Sequence, residues 1–162
     1  MKMTKRLKDF LDKKGFLYQV MKHPKVYTSQ ELAALEHVPG REVAKVVMVK
    51  ADERDVMVVI PASGSLDFIK LSTRLGTNNI RLAQEHEFRN LFPDCEVGAM
   101  PPMGHLYGLP CFMDQALIED EEIVFSGGTH SATVKMSIKD FQRVADPDIG
   151  DFCVQHGVNI GK

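Results

Sequence analysis

Lys45 lies inside an apolar segment, V-A-K-V-V-M-V, which spans residues 43–49. The valine content of this segment predicts a buried strand. Alternation along the strand places Lys45 on one face with Val47 and Val49, and the opposite face is apolar as well. An ammonium group in such surroundings needs an anionic partner. We therefore expect Lys45 to point into a cleft, where either a carboxylate of the protein or a phosphate of a ligand neutralises it.

A second candidate for chemistry is the loop E-V-G-A-M-P-P-M-G-H-L-Y-G at residues 96–108. Pro101 and Pro102 fix their φ angles and remove two backbone donors, so the loop is stiff. A stiff loop presents its remaining main-chain N–H groups at set positions, as an anionic or carbonyl-bearing ligand requires. The alternative interpretation is an ordinary Pro/Gly connection between two strands.

The third candidate is the turn G-G-T-H at residues 127–130, which follows a predicted strand. His130 could act as an acid–base or specificity residue, or it could simply occupy the turn. The remaining histidines form neither HExxH nor a close ligand pair, and the three cysteines form no CxxC pattern. Walker A, GxGxxG and GxSxG motifs are absent. We therefore predict no metal and no cofactor.

The elements that must position these residues mix helices and strands. Hydrophobic periodicity and capping signals predict helices at 4–14, 28–38, 66–75, 83–91 and from 137 to about 146. Alternation and valine-rich runs predict strands at 16–20, 43–50, 56–60, 80–82, 111–113, 123–126 and 132–136. Several of these strands are neighbours in hairpins, so the pattern indicates an α+β fold with an antiparallel or mixed sheet.

Length and composition are typical of one soluble domain. The chain has 162 residues, of which 44% are hydrophobic and 26% are charged. We expect a single domain at residues 1–150 and a C-terminal tail, partly disordered, at 151–162. No apolar run is long enough to span a membrane, and the basic N-terminus lacks the apolar segment of a secretory signal. The widely spaced cysteines favour a reducing cytoplasm.

Charge is distributed unevenly along the chain. Residues 1–50 carry a net charge of +6, and residues 51–162 carry −8. The basic N-terminal part could meet phosphates, or it could be an ordinary solvated helix surface. The pI near 6.3 argues against a broad surface that coats nucleic acid, although a small site could still grip one nucleic-acid end.

Taken in order, these features resemble the YbaK-like aminoacyl-tRNA deacylases, which share their fold with the editing domain of bacterial prolyl-tRNA synthetases. The resemblance covers about residues 4–150 and rests on H-P at 23–24, V-A-K-V-V at 43–47, V-V-I-P-A at 58–62, the loop at 95–104 and the turn at 127–130. It implies an α+β fold in which a mixed, strongly curved β-sheet is surrounded by helices.

The resemblance also implies a reaction. A free-standing trans-editing enzyme of this kind hydrolyses the ester between a wrong amino acid and the 3′-terminal adenosine of a tRNA, without a metal or cofactor. Its partners would be tRNA and an aminoacyl-tRNA synthetase. Lys45 would hold the phosphate of the terminal adenosine, and the backbone N–H groups of Gly98, Ala99 and Met100 would stabilise the oxyanion. The implied substrate-binding positions are His23, Thr28, Pro102, Gly104, Gly128 and His130, of which the last would measure the amino-acid side chain.

Two departures separate this chain from its relatives. Val46 follows the lysine where relatives often carry a small polar residue, and L-Y-G-L-P at 106–110 resembles a less characterised branch. The sequence therefore leaves open the amino acid, the tRNA and the oligomeric state. Two other functions also stay open: a non-catalytic module that binds tRNA ends or aminoacyl nucleotides, and a hydrolase of another small ester.

Overall fold

The computed structural model describes residues 3–154. Within this range the chain forms five α-helices: α1 Lys5–Lys14, α2 Ser29–Glu36, α3 Phe68–Leu75, α4 Glu85–Phe88 and α5 Ile138–Ala145. It also forms eight strands: β1 Gln19–Lys22, β2 Ala44–Ala51, β3 Arg54–Pro61, β4 Ile80–Leu82, β5 Cys111–Asp114, β6 Glu122–Ser126, β7 Ala132–Ser137 and β8 Asp148–Gly150. No helix in this range has the length and apolarity needed to cross a membrane.

The strands form two sheets that adjoin. A five-stranded sheet has the order β4-β2-β3-β5-β8, with antiparallel pairing around β2 and parallel pairing from β3 to β5 and from β5 to β8. A three-stranded antiparallel sheet has the order β1-β7-β6. A parallel bridge between Val43 and Val124 joins the two sheets. The predicted α+β fold with a mixed sheet and surrounding helices is therefore confirmed.

Helix ends follow the local signals in the sequence. Gly15 ends α1 in the left-handed conformation with φ 76°. Thr28 and Glu31 form a complete capping box at the start of α2. The Ser137 side chain accepts a hydrogen bond from the Asp140 N–H at the start of α5. These three helix ends were predicted correctly.

The two faces of β2 belong to different parts of the core. Met48 points into the main core, which contains Phe125 and residues of α1 and α5. Val49 points to the other side and packs in a second cluster with Leu71 of α3 and with Phe152. Both faces of the strand are therefore apolar, as the sequence predicts, and Lys45 lies near one end of this doubly covered strand.

Three elements differ from the prediction. β1 begins at Gln19 and not at residue 16, because its pairing with β7 runs from Gln19 opposite Lys135 to Lys22 opposite Ala132. The helix expected at 83–91 consists of the short α4 followed by a 3₁₀ turn, Arg89–Leu91. Strand β8 was not predicted, and the part of the expected tail from residue 155 onward lies outside the described residues.

Candidate active site

Lys45 reaches the surface at the end of β2 without an ionic partner. Its Nζ donates a hydrogen bond to the carbonyl oxygen of Gly64 at 3.2 Å. In the part of the chain that the structure describes, Lys45 forms no ion pair with a carboxylate. A carbonyl does not neutralise the ammonium charge, so the carboxylate of the protein that was one of the two expected partners is not found among the described residues.

Lys45 faces a cleft of about 370 Å³. The start of α2 with the residue before its cap, β2, and the loop that carries Gly98 all contribute to its lining. The lining residues are Tyr27, Thr28, Ser29, Gln30, Lys45, Val46 and Gly98. The cleft thus brings together the expected lysine and the expected glycine loop, which are more than fifty positions apart in the sequence.

A second, much smaller cavity adjoins this cleft. Its volume is about 10 Å³, which is room for about one water-sized group. It shares four lining residues with the cleft, Tyr27, Thr28, Ser29 and Gly98, and its other lining residues are His23, Val26, Leu32, Ser126, His130, Ala132 and Thr133. Gly98 therefore lies where the two spaces meet, and His130 lies on the far side of it from Lys45.

Backbone hydrogen bonds fasten the glycine loop to the turn after β6. The Glu96 N–H donates to the Gly128 carbonyl at 2.8 Å, and the Gly128 N–H donates to the Ala99 carbonyl at 3.0 Å. Gly128 adopts φ 98°, a left-handed conformation that favours glycine. These bonds fix the position of the loop before any ligand binds.

His130 holds the same junction through its ring. Its Nδ1 lies 3.1 Å from the Val26 carbonyl oxygen, and its Nε2 lies 2.7 Å from the Val97 carbonyl oxygen. The ring also packs against Tyr27, with ring centroids 4.7 Å apart. A Cβ atom on Gly98 would lie 3.3 Å from the His130 ring. The imidazole therefore fixes the orientation of the peptide between residues 97 and 98.

Glu96 adds an ionised group to this junction. Its carboxylate accepts a hydrogen bond from the His130 backbone N–H at 2.6 Å and pairs with Lys25 Nζ at 3.2 Å. The bond from His130 and the charge of Lys25 hold the pKa of this carboxyl below its ordinary value. Glu96 was named only as the first residue of the loop, because nothing in the sequence indicated these partners.

The candidate oxyanion donors are not equivalent. The N–H groups of Ala99 and Met103 already donate to carbonyls within the loop. The Gly98 N–H contacts only the thioether of Met100 at 3.2 Å, and sulfur is a weak acceptor. Among the described residues, the Met100 N–H has no acceptor, but Met100 is buried and lines neither cavity. Gly98 is therefore the only one of these four residues that lines the cleft, and its N–H donates to the weakest acceptor, the Met100 sulfur.

Two other expected substrate-binding residues line these spaces. His23 lies 2.6 Å through Nε2 from the Thr133 hydroxyl and 2.7 Å through Nδ1 from the Pro24 carbonyl. Thr28 lines both spaces while its hydroxyl caps α2. The side of the cavity next to α2 is consequently polar and held by hydrogen bonds.

Three positions that were expected to bind substrate pack within the protein and line neither space. Pro102 and Gly104 are buried and line neither space. A Cβ on Gly104 would lie 2.7 Å from the Leu109 carbonyl oxygen, so close packing of two loop segments explains this glycine. Gly128 likewise packs against Thr4, ahead of α1, and does not line either space.

Tyr27 and Gln30 line the cleft although neither was selected from the sequence. Tyr27 directly precedes the capping box of α2, and Gln30 lies within it. That box was interpreted from the sequence only as a helix signal. Tyr27 is 65% exposed. Proximity to Thr28, an expected binding residue, was the one signal that could have drawn attention to them.

Comparison with known proteins identifies the family. The sequence model of the aminoacyl-tRNA editing domain matches residues 23–144. The chain belongs to this family. The match includes Lys45, the glycine loop and His130, so all three parts of the candidate site lie inside the editing domain.

Relatives and solved structures agree with this assignment. The proline–tRNA ligase of Staphylococcus saprophyticus is 38% identical over 78 residues, which is 48% of this chain and 13% of the ligase. The chain thus spans about one eighth of that relative's length. Two solved structures share the fold: a protein described as a candidate trans-editing enzyme for prolyl-tRNA synthetase, with TM-score 0.81 and 23% identity, and a hypothetical protein, with TM-score 0.84 and 21% identity. They cover 93% of this chain and 96% and 100% of their own chains.

Proposed function

We propose that this editing domain is a free-standing deacylase that hydrolyses the ester of mischarged aminoacyl-tRNA in the cytoplasm. The observation that supports the proposal most directly is that Lys45 and Gly98 line the same cleft. This cleft places an ammonium group without an ionic partner, on Lys45, and a weakly engaged backbone donor, on Gly98, around one space of about 370 Å³. The family assignment supports aminoacyl-tRNA as the substrate class.

The phosphate of the terminal nucleotide belongs at the Lys45 end of the cleft. The N–H groups of Ser29 and Gln30, at the start of α2, have no acceptor within residues 3–154. The N-terminus of a helix favours anions because its first amides point outward. Lys45 and these amides therefore supply positive charge and hydrogen-bond donors around the same cleft.

The ester carbonyl belongs at Gly98. Water adds to the carbonyl carbon, and the Gly98 N–H leaves the Met100 sulfur to bind the developing oxyanion. The acyl C–O bond then breaks, and the ribose oxygen leaves with a proton derived from the attacking water. The products are a free amino acid and an uncharged tRNA. A backbone donor on the oxyanion contributes at most about 3 kcal/mol to such a step, less the cost of leaving the sulfur. The ester is already activated, so a Ser-His-Asp triad is unnecessary.

The amino-acid side chain belongs toward the small cavity beyond Gly98. Because that cavity has room for about one water-sized group, it favours small side chains. Each extra methylene changes discrimination by only about 1–3 kcal/mol, so the preference would be graded and not absolute. His130 then acts at this end of the substrate, both as a lining residue and as the anchor of the residue 97–98 peptide.

Removal of the Lys45 ammonium tests the proposal. We expect Lys45→Ala to lower kcat/KM for mischarged tRNA by about 10- to 100-fold, because a charged hydrogen bond contributes about 1.5–3 kcal/mol. Lys45→Arg should keep part of the activity. Lys135→Ala is the matched control, since Lys135 is also a strand lysine but pairs with Glu122 outside the cleft. A panel of mischarged tRNAs and circular dichroism of each variant provide the measurement.

Three outcomes would contradict this function. Full activity of Lys45→Ala on every mischarged tRNA would remove the assigned role of the lysine. Tight binding of a non-hydrolysable aminoacyl-adenosine analogue without turnover of any ester would indicate a binding module. Hydrolysis of simple esters that uncharged tRNA does not inhibit would indicate a small-ester hydrolase.

A further inference from the structure

Tyr27 is an exposed aromatic residue that borders the cleft. It is 65% exposed, and its contact with another ring is the tilted packing against His130. Aromatic rings bury large apolar areas when they stabilise a core. Tyr27 contributes little to the core in this way, so its surface is available to a ligand in the cleft.

Although its ring is open, the Tyr27 backbone is held in place. Its N–H donates to Glu31 Oε1 at 3.0 Å, and the next residue, Thr28, caps α2 and donates its own N–H to the same oxygen at 3.1 Å. The ring therefore projects from a fixed base. Unpaired nucleic-acid bases stack on aromatic side chains presented in this way.

Gln30 supplies a polar group beside this ring. Its side chain lines the same cleft, it is exposed, and its amide forms no hydrogen bond in the part of the chain that the structure describes. A glutamine amide offers a donor and an acceptor side by side. This pattern matches the edge of adenine, which also presents one donor next to one acceptor.

We propose that Tyr27 and Gln30 bind the adenine base at the 3′ end of the RNA. This inference rests on the proposed function, which places the terminal phosphate at Lys45 and the ester at Gly98. The cleft of about 370 Å³ falls within the range of about 300–1,000 Å³ usual for small-molecule sites. Tyr27 stacks on the base and Gln30 contacts its edge, while Lys45 holds the phosphate.

Fluorescence of an uncharged RNA minihelix tests the stacking. With 2-aminopurine in place of the terminal adenine, we expect bound fluorescence to be lower with the wild type and Tyr27→Phe than with Tyr27→Leu. Leucine keeps an apolar contact with His130 but offers no ring. Tyr27→Leu should also weaken binding by about 10- to 100-fold, because base stacking on an aromatic ring is lost. Leu17→Ala, a change at an exposed apolar residue outside the cleft, is the control and should leave both readouts unchanged.

Minihelices that end in adenosine, guanosine or cytidine test the edge contact. We expect the wild type to prefer adenosine and Gln30→Ala to lose most of that preference while retaining the fluorescence signature of stacking. Equal fluorescence of Tyr27→Leu and wild type, or no preference for adenosine in the wild type, would overturn the inference. Because the RNA carries no amino acid, these results do not depend on hydrolysis. If Tyr27→Leu deacylates mischarged tRNA and binds the minihelix as the wild type does, the proposed function stands and the adenine site is excluded.

Discussion

Glu96 connects three segments behind the candidate active site. Its side chain accepts the N–H of His130 and the ammonium of Lys25, and its backbone N–H donates to Gly128. The carboxylate thus helps to hold the loop that carries Gly98 against the turn that carries His130. The position of the loop beside the cleft therefore depends in part on a charged residue that does not line the cleft.

The lowered pKa of Glu96 gives this interaction a pH dependence. Its folded-state pKa lies below the ordinary 4.5, so its stabilisation is fully present above about pH 4.5 and is lost as pH falls through the folded value. We expect Glu96→Gln to lower the free energy of unfolding by about 1 kcal/mol at pH 7, since a charge-assisted bond becomes a neutral one. The difference from wild type should shrink as pH falls below about 4.5.

Urea unfolding at pH 7, 5, 4 and 3 measures this difference. Glu121→Gln removes the same charge from an exposed glutamate whose side chain forms no hydrogen bond among the described residues, and its difference should stay small throughout. A Glu96→Gln deficit that persists unchanged at pH 3 would show that the charge is not the source of the stability.

At this scale the sequence predicted some residues and missed others for a physical reason. Lys45 was predictable because an ammonium among valines conflicts with its own neighbours in the chain. Tyr27, Gln30 and Glu96 do not stand out from their neighbours in the sequence, so no local pattern marks them. Their positions at the candidate site follow from exposure, or from partners such as His130 that are more than thirty positions away, and both become apparent only in the folded chain.

At the scale of elements, a comparison of two glycines distinguishes the cost of backbone strain from the cost of steric overlap. Gly15 ends α1 with φ 76° and has open space where a Cβ would lie. Gly128 has φ 98°, and a Cβ there would overlap the Thr4 side chain. Both positions carry the cost of a left-handed alanine, which is about 1 kcal/mol, and only Gly128 carries the overlap as well.

We expect Gly15→Ala to lower the free energy of unfolding by about 1 kcal/mol and Gly128→Ala by about 3 kcal/mol or more. Thr4→Ser removes the overlapping methyl group and should recover part of the loss in the double variant. Urea unfolding of the four proteins measures the effects. If the two substitutions lowered the free energy of unfolding equally, the turn after β6 would have to shift at no cost to relieve the overlap with Thr4.

Elements were predictable where their signals are local. The β2–β3 hairpin, the capping box of α2 and the glycine end of α1 each depend on a few adjacent residues. The start of β1 depends on its register against β7, and β8 exists because it pairs in parallel with β5. Neither partner is near in sequence, so the composition of Asp148–Gly150 carried no strand signal.

At the scale of the molecule, Phe152 and Cys153, which follow β8, are part of the core. Phe152 is 1% exposed, and its N–H donates to the buried carboxylate of Asp114 at 2.7 Å. The same carboxylate accepts the N–H of Ala116 at 3.0 Å. We therefore propose that the domain extends beyond residue 150, the boundary expected from the sequence, at least to Cys153, whose side chain is also buried.

Truncation of Phe152 tests this extension. We expect Phe152→Ala to lower the free energy of unfolding by about 3–5 kcal/mol, because it leaves a cavity beside Phe112 and Leu71. Val154→Ala changes an exposed side chain two residues later and should stay within about 0.5 kcal/mol of wild type. Thermal and urea unfolding measure both. A mild effect of Phe152→Ala would restore the boundary at 150.

The meeting of the two spaces at Gly98 has a consequence for how such a domain can diverge. Ser126, Ala132 and Thr133 line the small cavity and do not line the cleft, whereas Gln30, Lys45 and Val46 line the cleft alone. Under the proposed function, substitutions in the first group would alter the accepted acyl group and leave the residues assigned to nucleotide binding unchanged. Evolution, or a designer, could therefore retarget the domain through β6 and β7 without rebuilding its attachment to RNA.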